Sequence, residues 1–282
     1  MISGRTRVLG VIGHPVEHTA SPAMHNAAIA ALGLDLVYTA FRVAPENLAA
    51  AIAGMRALGI AGLNVTVPHK QAVIPLLDEV SPEARAIGAV NTIELREGRL
   101  IGHNTDAFGV LESLRRDGGL ELLPARVALL GAGGAGRAVL YALLGRPEVE
   151  RVLLLNRSMV RAEALAESLG RAGRVEVARL DPDGCRAVAG SGLLINATSV
   201  GMHPAEEASP LADPGCLGPG MLVLDLVYNP RRTRLMAQAE TAGARSVNGL
   251  GMLACQGARA FEIWTGRWPP VETMLDAAIA AR

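Results

Sequence analysis

Lysine is almost absent from this chain: of its 27 lysine and arginine residues, only Lys70 is a lysine. The basic residues are balanced by 27 acidic ones, so the formal net charge is zero, and the sequence contains no basic run. Proteins that bind nucleic acid carry clustered positive charge on one face or one helix. The sequence therefore predicts no nucleic-acid partner.

Long apolar runs, paired cysteines and metal-ligand spacings are missing as well. No apolar stretch reaches the ~20 residues that a membrane-spanning helix requires, and residues 1–7 are polar rather than signal-like. We therefore expect no membrane partner. The six histidines lack the spacing of metal ligands, so we expect no metal. A reducing, cytoplasmic location without structural disulfides is indicated by three widely separated cysteines: Cys185, Cys216 and Cys255.

The single lysine is the most informative residue that is present. Arginine is always protonated, whereas a lysine amine can lose its proton in a suitable site, and proton transfer requires such a group. Lys70 follows an apolar, β-branched run that Pro68 ends. It would thus lie beyond the carboxyl end of a strand, where α/β sheets bind ligands. The alternative is a solvated surface lysine at a helix start.

Other polar residues occupy similar positions. Asp106 precedes a predicted helix over residues 107–116, where it is either a simple N-cap or a carboxylate that holds Lys70. Ser21, followed by Pro22, begins a helix over residues 23–32, and we interpret Ser21 as its cap. Thr19 and Ser21 together offer two hydroxyls beside a helix N-terminus, a place suited to an anionic or oxygen-rich ligand.

The first half of the chain alternates between strand and helix patterns, which favours a parallel α/β arrangement. We predict strands over residues 8–12, 36–43 and 60–67, helices over 45–58, 71–77 and 82–87, and a hairpin of strands 92–95 and 100–103. No internal repeat or long linker interrupts this pattern.

A glycine-rich motif opens the second half. The predicted strand 127–130 is followed by GAGGAG at residues 131–136 and by a helix over 137–144. This strand–loop–helix context is the one that the dinucleotide-binding fingerprint requires, because glycines admit the pyrophosphate to the helix N-terminus. The remaining predicted elements are strands 152–155, 174–178, 193–196, 222–226 and 245–247, with helices 231–242, 252–264 and 271–281.

The end of the strand 152–155 distinguishes the two nicotinamide cofactors. NAD enzymes tend to place an acidic residue there for the ribose 2′-hydroxyl, whereas this chain has Asn156 and Arg157, followed by Arg161. Two arginines four residues apart can face one way and hold a phosphate. This pattern predicts NADP; the alternative is a pair of solvated arginines.

Taken together, these motifs resemble those of the shikimate dehydrogenase family. The resemblance is ordered along nearly the whole chain, through HTASP (18–22), MHN (24–26), NVTVPHK (64–70), GAVNT (88–92), NTD (104–106), GAGGA (131–135), NR (156–157), NAT (196–198), YNP (228–230) and GLGMLACQ (249–256). A chance match would not reproduce this order.

The resemblance implies reversible, NADP-dependent reduction of 3-dehydroshikimate to shikimate in the pathway to aromatic amino acids. It implies a substrate domain of residues 1–105 plus 250–282 and an inserted Rossmann-type domain of residues 106–249. Lys70 and Asp106 would be the catalytic pair. The implied substrate contacts are Thr19, Ser21, Thr66, Asn91, Tyr228 and Gln256. The implied cofactor contacts are Gly131, Ala132, Gly133, Gly134, Ala135, Asn156, Arg157, Arg161, Leu226 and Gly249.

One departure and two alternatives accompany this interpretation. The family usually has serine where this chain has Thr19, whose extra methyl narrows the pocket near the substrate carboxylate. A quinate/shikimate dehydrogenase of degradative type is therefore the alternative enzyme, and a nucleotide-binding regulatory protein is the alternative class. Tyr228 is either a substrate contact or a half-buried packing residue. The sequence also leaves a homodimer open.

Overall fold

The structure is a computed structural model that describes residues 2–169 and 172–281. The chain forms two compact units, each built around a six-stranded sheet. The first unit comprises residues 1–109 and 253–282, and the second comprises residues 110–252. Strands and helices alternate in both units, which confirms the predicted α/β class with two domains.

The first unit begins with strands that the sequence pattern located well. Its strands are β1 (Arg7–Gly13), β2 (Leu36–Arg42), β3 (Gly62–Val65), β4 (Glu79–Val80), β5 (Thr92–Arg96) and β6 (Arg99–His103). Its helices are α1 (Ser21–Ala31), α2 (Leu48–Ala57) and α3 (Pro82–Ile87), with 3₁₀ turns at Pro45–Asn47 and Ile74–Leu76. Helix α4 (Asp106–Arg116) contains the boundary between the units.

The sheet of the first unit has the order β2-β1-β3-β5-β6-β4 and is mixed. Strand β1 pairs in parallel with β2 and β3, but β5 runs antiparallel to both β3 and β6. The predicted parallel pairing is confirmed for β1, β2 and β3, and the predicted hairpin of β5 and β6 is antiparallel, as its short connection requires. The antiparallel pairing of β5 with β3 was not predicted.

This mixed pairing gathers the polar strand ends. In the register of the sheet, Asn64 lies opposite Thr92, and Thr92 lies opposite His103. The carboxyl end of β3, the start of β5 and the end of β6 consequently meet at one edge of the sheet. The loops that follow β3 and β6 begin there, and the loop that precedes β5 ends there.

A helix predicted over residues 71–77 is absent. The segment forms turns and a single 3₁₀ turn, Ile74–Leu76, with Pro75 inside it. Proline has no backbone N–H and clashes with the preceding helical turn, so a regular α-helix does not continue through it. The two-residue strand β4 of the first unit was not predicted either.

In the second unit most strands are followed by an α-helix, whereas β10 and β11 are joined by a segment with a single 3₁₀ turn, Pro214–Cys216. Its strands are β7 (Arg126–Leu130), β8 (Arg151–Asn156), β9 (Val175–Arg179), β10 (Leu193–Asn196), β11 (Leu222–Asp225) and β12 (Arg245–Asn248). Its helices are α5 (Gly134–Leu144), α6 (Met159–Ser168), α7 (Pro182–Arg186) and α8 (Arg234–Thr241). The start of α6 was predicted at Arg157 and Arg161, without an end, and α7 was not predicted. Helix α9 (Leu250–Thr265) leads back to the first unit, and α10 (Val271–Ala280) follows it.

All strand pairs of the second sheet are parallel, in the order β12-β11-β10-β7-β8-β9. The central strands β7, β8, β10 and β11 each bury four consecutive residues, which is the pattern of a sheet covered on both faces. The strand order reverses between β10 and β7. Such a reversal is where doubly wound sheets bind their ligands.

Among residues 2–169 and 172–281, no helix is both long and apolar enough to cross a membrane. Over the same range, no three His, Cys, Asp or Glu side chains are grouped so that they could hold a metal ion. All three cysteines are free thiols.

Candidate active site

The loop after β3 holds Lys70 in place through its backbone and through His69. The His69 side chain is buried, and its Nε2 lies 2.7 Å from the carbonyl oxygen of Val43. The His69 amide donates to the carbonyl of Thr66 at 2.9 Å, and the carbonyl of Lys70 accepts from the amide of Val90 at 2.7 Å. Lys70 is therefore fixed at its base, and only its own side-chain torsions remain variable.

Lys70 forms an ion pair with Asp106, with 2.5 Å between Nζ and Oδ2. The Lys70 side chain is 15% exposed and that of Asp106 is 6% exposed, so the alternative of a solvated surface lysine is wrong. Asn104 is the residue that caps α4, since its Oδ1 accepts from the amides of Asp106 and Ala107 at 3.0 and 3.4 Å. The simple N-cap interpretation of Asp106 is also wrong, because its carboxylate faces Lys70 instead.

Asn91 connects this ion pair to the rest of the sheet edge. Its Nδ2 donates to Asp106 Oδ1 and to Thr105 Oγ1, both at 2.9 Å. Its Oδ1 accepts from the Thr105 amide at 2.8 Å and from Thr92 Oγ1 at 3.1 Å. The two carboxylate oxygens of Asp106 therefore have different partners, the lysine ammonium on one and the asparagine amide on the other.

Gln256, on α9, reaches the same cluster although it lies far away in sequence. Its Oε1 is 3.2 Å from Asn91 Nδ2 and 3.4 Å from Thr105 Oγ1. Its Nε2 donates to the carbonyl of Leu253 one helical turn earlier. Four of the predicted site residues, Lys70, Asn91, Asp106 and Gln256, are thus linked through hydrogen bonds in the first unit.

Thr19 and Ser21 form a second hydroxyl pair, after β1. Their Oγ atoms lie 3.1 Å apart, and the Thr19 hydroxyl accepts from the Ser21 amide at 3.2 Å. Ser21 is the first residue of α1 rather than its cap: Ala20 holds the N-cap position and makes no side-chain bond. The predicted cap is therefore wrong, because Ser21 lies inside the first turn and its hydroxyl accepts from the Thr19 hydroxyl.

The loops after β1 and β3 meet at Thr66. A side chain at Gly13 would lie 2.4 Å from Thr66 Cγ2, so glycine is required for this approach. The Thr66 amide also donates to the carbonyl of Ile12 at 2.9 Å. Thr66 itself is half-buried, at the carboxyl end of the neighbouring parallel strands β1 and β3.

The glycine motif forms a tight turn from β7 into α5. Gly131 has φ +102°, a conformation that favours glycine, and a Cβ at Gly136 would lie 2.1 Å from the Gly131 carbonyl oxygen. Helix α5 begins at Gly134, and its N-cap Gly133 makes no side-chain bond. A Cβ at Gly133 would meet no atom within 4 Å. There is therefore free space beside Gly133, and the N-terminus of α5 has no side-chain cap, which suits a pyrophosphate.

The next strand supports that loop and supplies the two arginines. Asn156, the last residue of β8, accepts from the Ala132 amide at 3.3 Å and donates to the Ser158 carbonyl at 2.9 Å. Arg157 and Arg161 are exposed, and neither pairs with a carboxylate among the residues that the structure describes. Their guanidinium groups are available to a phosphate, as the interpretation as an NADP site requires.

The sequence analysis missed a buried polar cluster at the ends of β10 and β11. Asp225 is fully buried and accepts from Asn196 Nδ2 at 2.8 Å, Thr233 Oγ1 at 2.7 Å and the Val227 amide at 3.0 Å. Burial raises the pKa of Asp225 above its ordinary value, although these hydrogen bonds act in the opposite direction. The signal for this cluster in the sequence is Asp225 itself, a lone acidic residue at the end of an apolar run.

This cluster fixes the loops that carry the remaining predicted residues. Leu226 and Tyr228 follow β11, and Gly249 follows β12. A Cβ at Gly249 would lie 2.2 Å from the Leu226 carbonyl oxygen, so the two loops pack closely only because residue 249 is glycine. Tyr228 is half-buried in the second unit.

The fold and the site define a two-domain α/β protein of the nucleotide-dependent dehydrogenase class. Three family models match the chain in order. They describe the shikimate dehydrogenase substrate binding domain (residues 11–93), shikimate / quinate 5-dehydrogenase (residues 115–204) and the shikimate 5'-dehydrogenase C-terminal domain (residues 249–279).

Individual proteins match over nearly their full length. The shikimate dehydrogenase (NADP(+)) of Symbiobacterium thermophilum is 51% identical, over 99% of this chain and 95% of that protein. A crystal structure of Thermus thermophilus shikimate 5-dehydrogenase with NADP(H) and shikimate is 42% identical, with a TM-score of 0.88 over 98% of this chain and 100% of that one. Quinate dehydrogenase from Corynebacterium glutamicum with NAD is 34% identical, with a TM-score of 0.87 over 98% and 99% of the two chains. This chain belongs to the shikimate dehydrogenase family.

Proposed function

We propose that this chain is an NADP-dependent shikimate dehydrogenase, which reversibly reduces 3-dehydroshikimate to shikimate in the chorismate pathway to aromatic amino acids. The observation that carries the proposal is the ion pair between Lys70 and Asp106. It joins the only lysine of the chain to a carboxylate in a unit whose sequence matches the substrate-binding domain of this family. A regulatory nucleotide-binding protein would need the glycine loop but not this pair.

Lys70 is the proton donor and acceptor of the proposed reaction. Oxidation of a secondary alcohol leaves a proton on the hydroxyl oxygen, and reduction of the ketone requires one there. When bound, NADP⁺ would supply the hydride acceptor for the oxidation, and NADPH would supply the hydride donor for the reduction. The neutral amine of Lys70 takes the hydroxyl proton during oxidation, and its ammonium gives a proton to the carbonyl oxygen during reduction.

Asp106 and Asn91 direct that amine. An ordinary carboxylate is too weak a base to deprotonate an alcohol, so Asp106 acts by holding the Lys70 amine and by sharing the substrate hydroxyl. The Asn91 amide on Asp106 Oδ1 leaves Oδ2 for the lysine. The carboxylate is therefore held from both sides, and the amine approaches the substrate from one direction.

The substrate contacts follow from the same edge of the sheet and from the family resemblance. We assign the substrate hydroxyls and carboxylate to side chains with hydroxyl or amide groups, namely Thr19, Ser21, Thr66, Asn91 and Gln256. Tyr228 is assigned by the resemblance. We also propose residues 1–105 plus 250–282 as the substrate domain and residues 106–249 as the cofactor domain.

The cofactor contacts belong to the second unit. The uncapped N-terminus of α5 would hold the pyrophosphate, and Arg157 with Arg161 would hold the 2′-phosphate of NADP. Asn156 supports the loop through Ala132. The remaining proposed contacts are Gly131, Gly133, Gly134, Ala135, Leu226 and Gly249.

Quinate is a second candidate substrate, because one matching family model describes shikimate / quinate 5-dehydrogenase and a structure 34% identical to this chain is a quinate dehydrogenase. Quinate carries one more hydroxyl than shikimate, and the methyl group of Thr19 narrows the space beside Ser21, so the choice between the two substrates has to be measured. Initial rates with shikimate and quinate, each with NADP or NAD, separate these two activities. The free cysteines support a reducing, cytoplasmic location. A homodimer stays a prediction.

The proposed role of Lys70 is tested by Lys70→Arg and Lys70→Ala. Arginine keeps the charge but cannot release its proton. Both variants should lose kcat by ~10²–10⁴-fold, as is typical of general acid–base catalysis, with little change in the KM for NADP. The matched control is Arg99→Ala, which removes the cation of an exposed ion pair with Glu79 in the same unit and should leave kcat unchanged. A Lys70→Arg variant with near wild-type kcat would show that the amine only anchors the substrate.

A further inference from the structure

We infer that Tyr38 is a positioning residue for the Lys70–Asp106 pair, and that it acts through Asn64 and Asn91. The inference rests on the proposed function. Tyr38 lies in β2, the edge strand of the first sheet, and is 2% exposed. It cannot touch a substrate, so any influence on the reaction must pass through the residues that it contacts.

Both the backbone and the ring of Tyr38 are fixed by neighbouring side chains. The Asn26 side chain pairs with both backbone groups of Tyr38: Oδ1 accepts from its amide at 2.9 Å and Nδ2 donates to its carbonyl at 2.8 Å. The Tyr38 ring stacks on His25, with centroids 4.2 Å apart and planes at 10°, and lies against Trp264 at 6.2 Å. The indole of Trp264 is anchored in turn by a 3.0 Å bond to the carbonyl of Ile93. The phenol hydroxyl thus has a fixed position.

The hydroxyl of Tyr38 sets the orientation of the Asn64 amide. It donates to Asn64 Oδ1 at 2.7 Å, so Nδ2 of Asn64 points the other way. That Nδ2 donates to the carbonyl of Asn91 and to Thr92 Oγ1, both at 3.2 Å. Because Thr92 Oγ1 accepts from Asn64, its own proton is directed to Asn91 Oδ1, 3.1 Å away.

The series of bonds ends on the proposed proton-transfer pair. With Oδ1 of Asn91 occupied by Thr92 and by the Thr105 amide, its Nδ2 must face Asp106 Oδ1. Each residue in this series donates a hydrogen bond to the next one, and the Asp106 carboxylate is the final acceptor. All of the donors therefore point toward Asp106. Without the tyrosine hydroxyl, the Asn64 amide can rotate by half a turn, and the Thr92 proton then turns away from Asn91.

A purely structural role for Tyr38 makes a different prediction. A buried hydroxyl that only stabilises the fold would lower the unfolding temperature when removed and would leave the kinetics of the folded protein unchanged. A positioning role lowers kcat while leaving substrate affinity intact, because the lost precision concerns the transition state. The ratio of the effects on kcat and on KM separates the two roles.

The test is steady-state oxidation of shikimate with NADP⁺ by the purified full chain, well below its unfolding temperature. Tyr38→Phe should lower kcat about tenfold and change both KM values less than about twofold. The matched control is Tyr141→Phe on α5, a half-buried tyrosine whose hydroxyl makes no hydrogen bond among residues 2–169 and 172–281. It should keep the wild-type kcat.

A double-mutant cycle tests the route. In an Asn64→Ala background, Tyr38→Phe should cause no further loss of kcat, since the series of bonds is already broken. Additive losses would overturn the route through Asn64, and a Tyr38→Phe variant with wild-type kcat would overturn the inference. A wild-type chain without shikimate activity would instead overturn the proposed function, and the inference with it.

Discussion

His25 makes the stability of the first unit sensitive to acid. Its imidazole is fully buried in α1 between Tyr38 and Phe261, and neither ring nitrogen has a hydrogen-bond partner among the described residues. Burial lowers the pKa of His25 from its ordinary value of 6.5 to about 3. The folded protein therefore keeps this ring neutral at pH values where the unfolded chain protonates it.

The sign and size of the effect follow from proton linkage. Below pH 6.5 the unfolded state binds one proton that the folded state does not, so the free energy of unfolding falls as the pH falls, until about pH 3. The loss approaches about 1.4 kcal/mol for each pH unit. Between pH 7.5 and pH 5.0, it amounts to about 2 kcal/mol from this residue alone.

Tryptophan fluorescence during urea unfolding reports on the unit that contains His25, because both tryptophans, Trp264 and Trp268, lie in that first unit. His25→Phe keeps an aromatic ring in the stack but cannot titrate. Its free energy of unfolding should therefore fall by about 2 kcal/mol less than that of the wild type between pH 7.5 and pH 5.0. Met24→Leu, a buried neighbour on the same helix, should lower stability equally at both pH values. If His25→Phe kept the full wild-type pH dependence, the buried neutral histidine would not be its source.

Two further predictions concern the second unit. Arg157→Ala should raise the KM for NADP by about tenfold and leave that for NAD nearly unchanged, because it removes a charge-assisted contact to the 2′-phosphate. Arg151→Ala, at the opposite end of β8, is the control, and equal losses with both cofactors would refute the assignment. Asp225→Asn should raise stability at pH 7, since it removes a charge whose burial raises the pKa of this carboxyl, and thermal melts should show the gain shrink as the pH falls and the wild-type carboxyl becomes protonated. A variant less stable than the wild type at pH 7 would contradict it.

The second unit was largely predictable from sequence for a physical reason. Its strands are buried on both faces, so each is a short, uninterrupted apolar run bounded by polar residues, and β10 was located residue for residue. The glycine motif located the turn into α5, although the helix begins three residues earlier than predicted, at Gly134. Helix α7 was missed because it has only five residues, two of which are Pro182 and Gly184, so it shows no helical period.

The first unit was less predictable because its sheet depends on pairing between distant segments. Local pattern indicated a strand at β3 and a hairpin at β5–β6, but nothing near either segment specifies that β5 joins β3 antiparallel. The turn structure around Pro75 likewise overrode a helical pattern.

The candidate site, too, was predictable from sequence only in part. Sequence indicated that Lys70, Asn91 and Asp106 each lie at the end of an element, and the mixed sheet brings these ends together. The partners of Asn64 could not be foreseen, because Tyr38 and Thr92 reach it from two other strands. The catalytic and binding roles of the site residues stay predictions until the variants are measured.

The hydrogen bonds between the Asn26 side chain and the backbone of Tyr38 also bear on aggregation of this protein at high concentration. An edge strand offers unpaired amides and carbonyls to which another chain can add as a further strand, the usual first step of aggregation. At Tyr38, in the middle of β2, both groups are already satisfied by the amide side chain of Asn26. A foreign strand would have to displace that side chain before it could pair along β2. A single asparagine on α1 therefore protects the middle of this edge strand without a proline or a charged residue at that position.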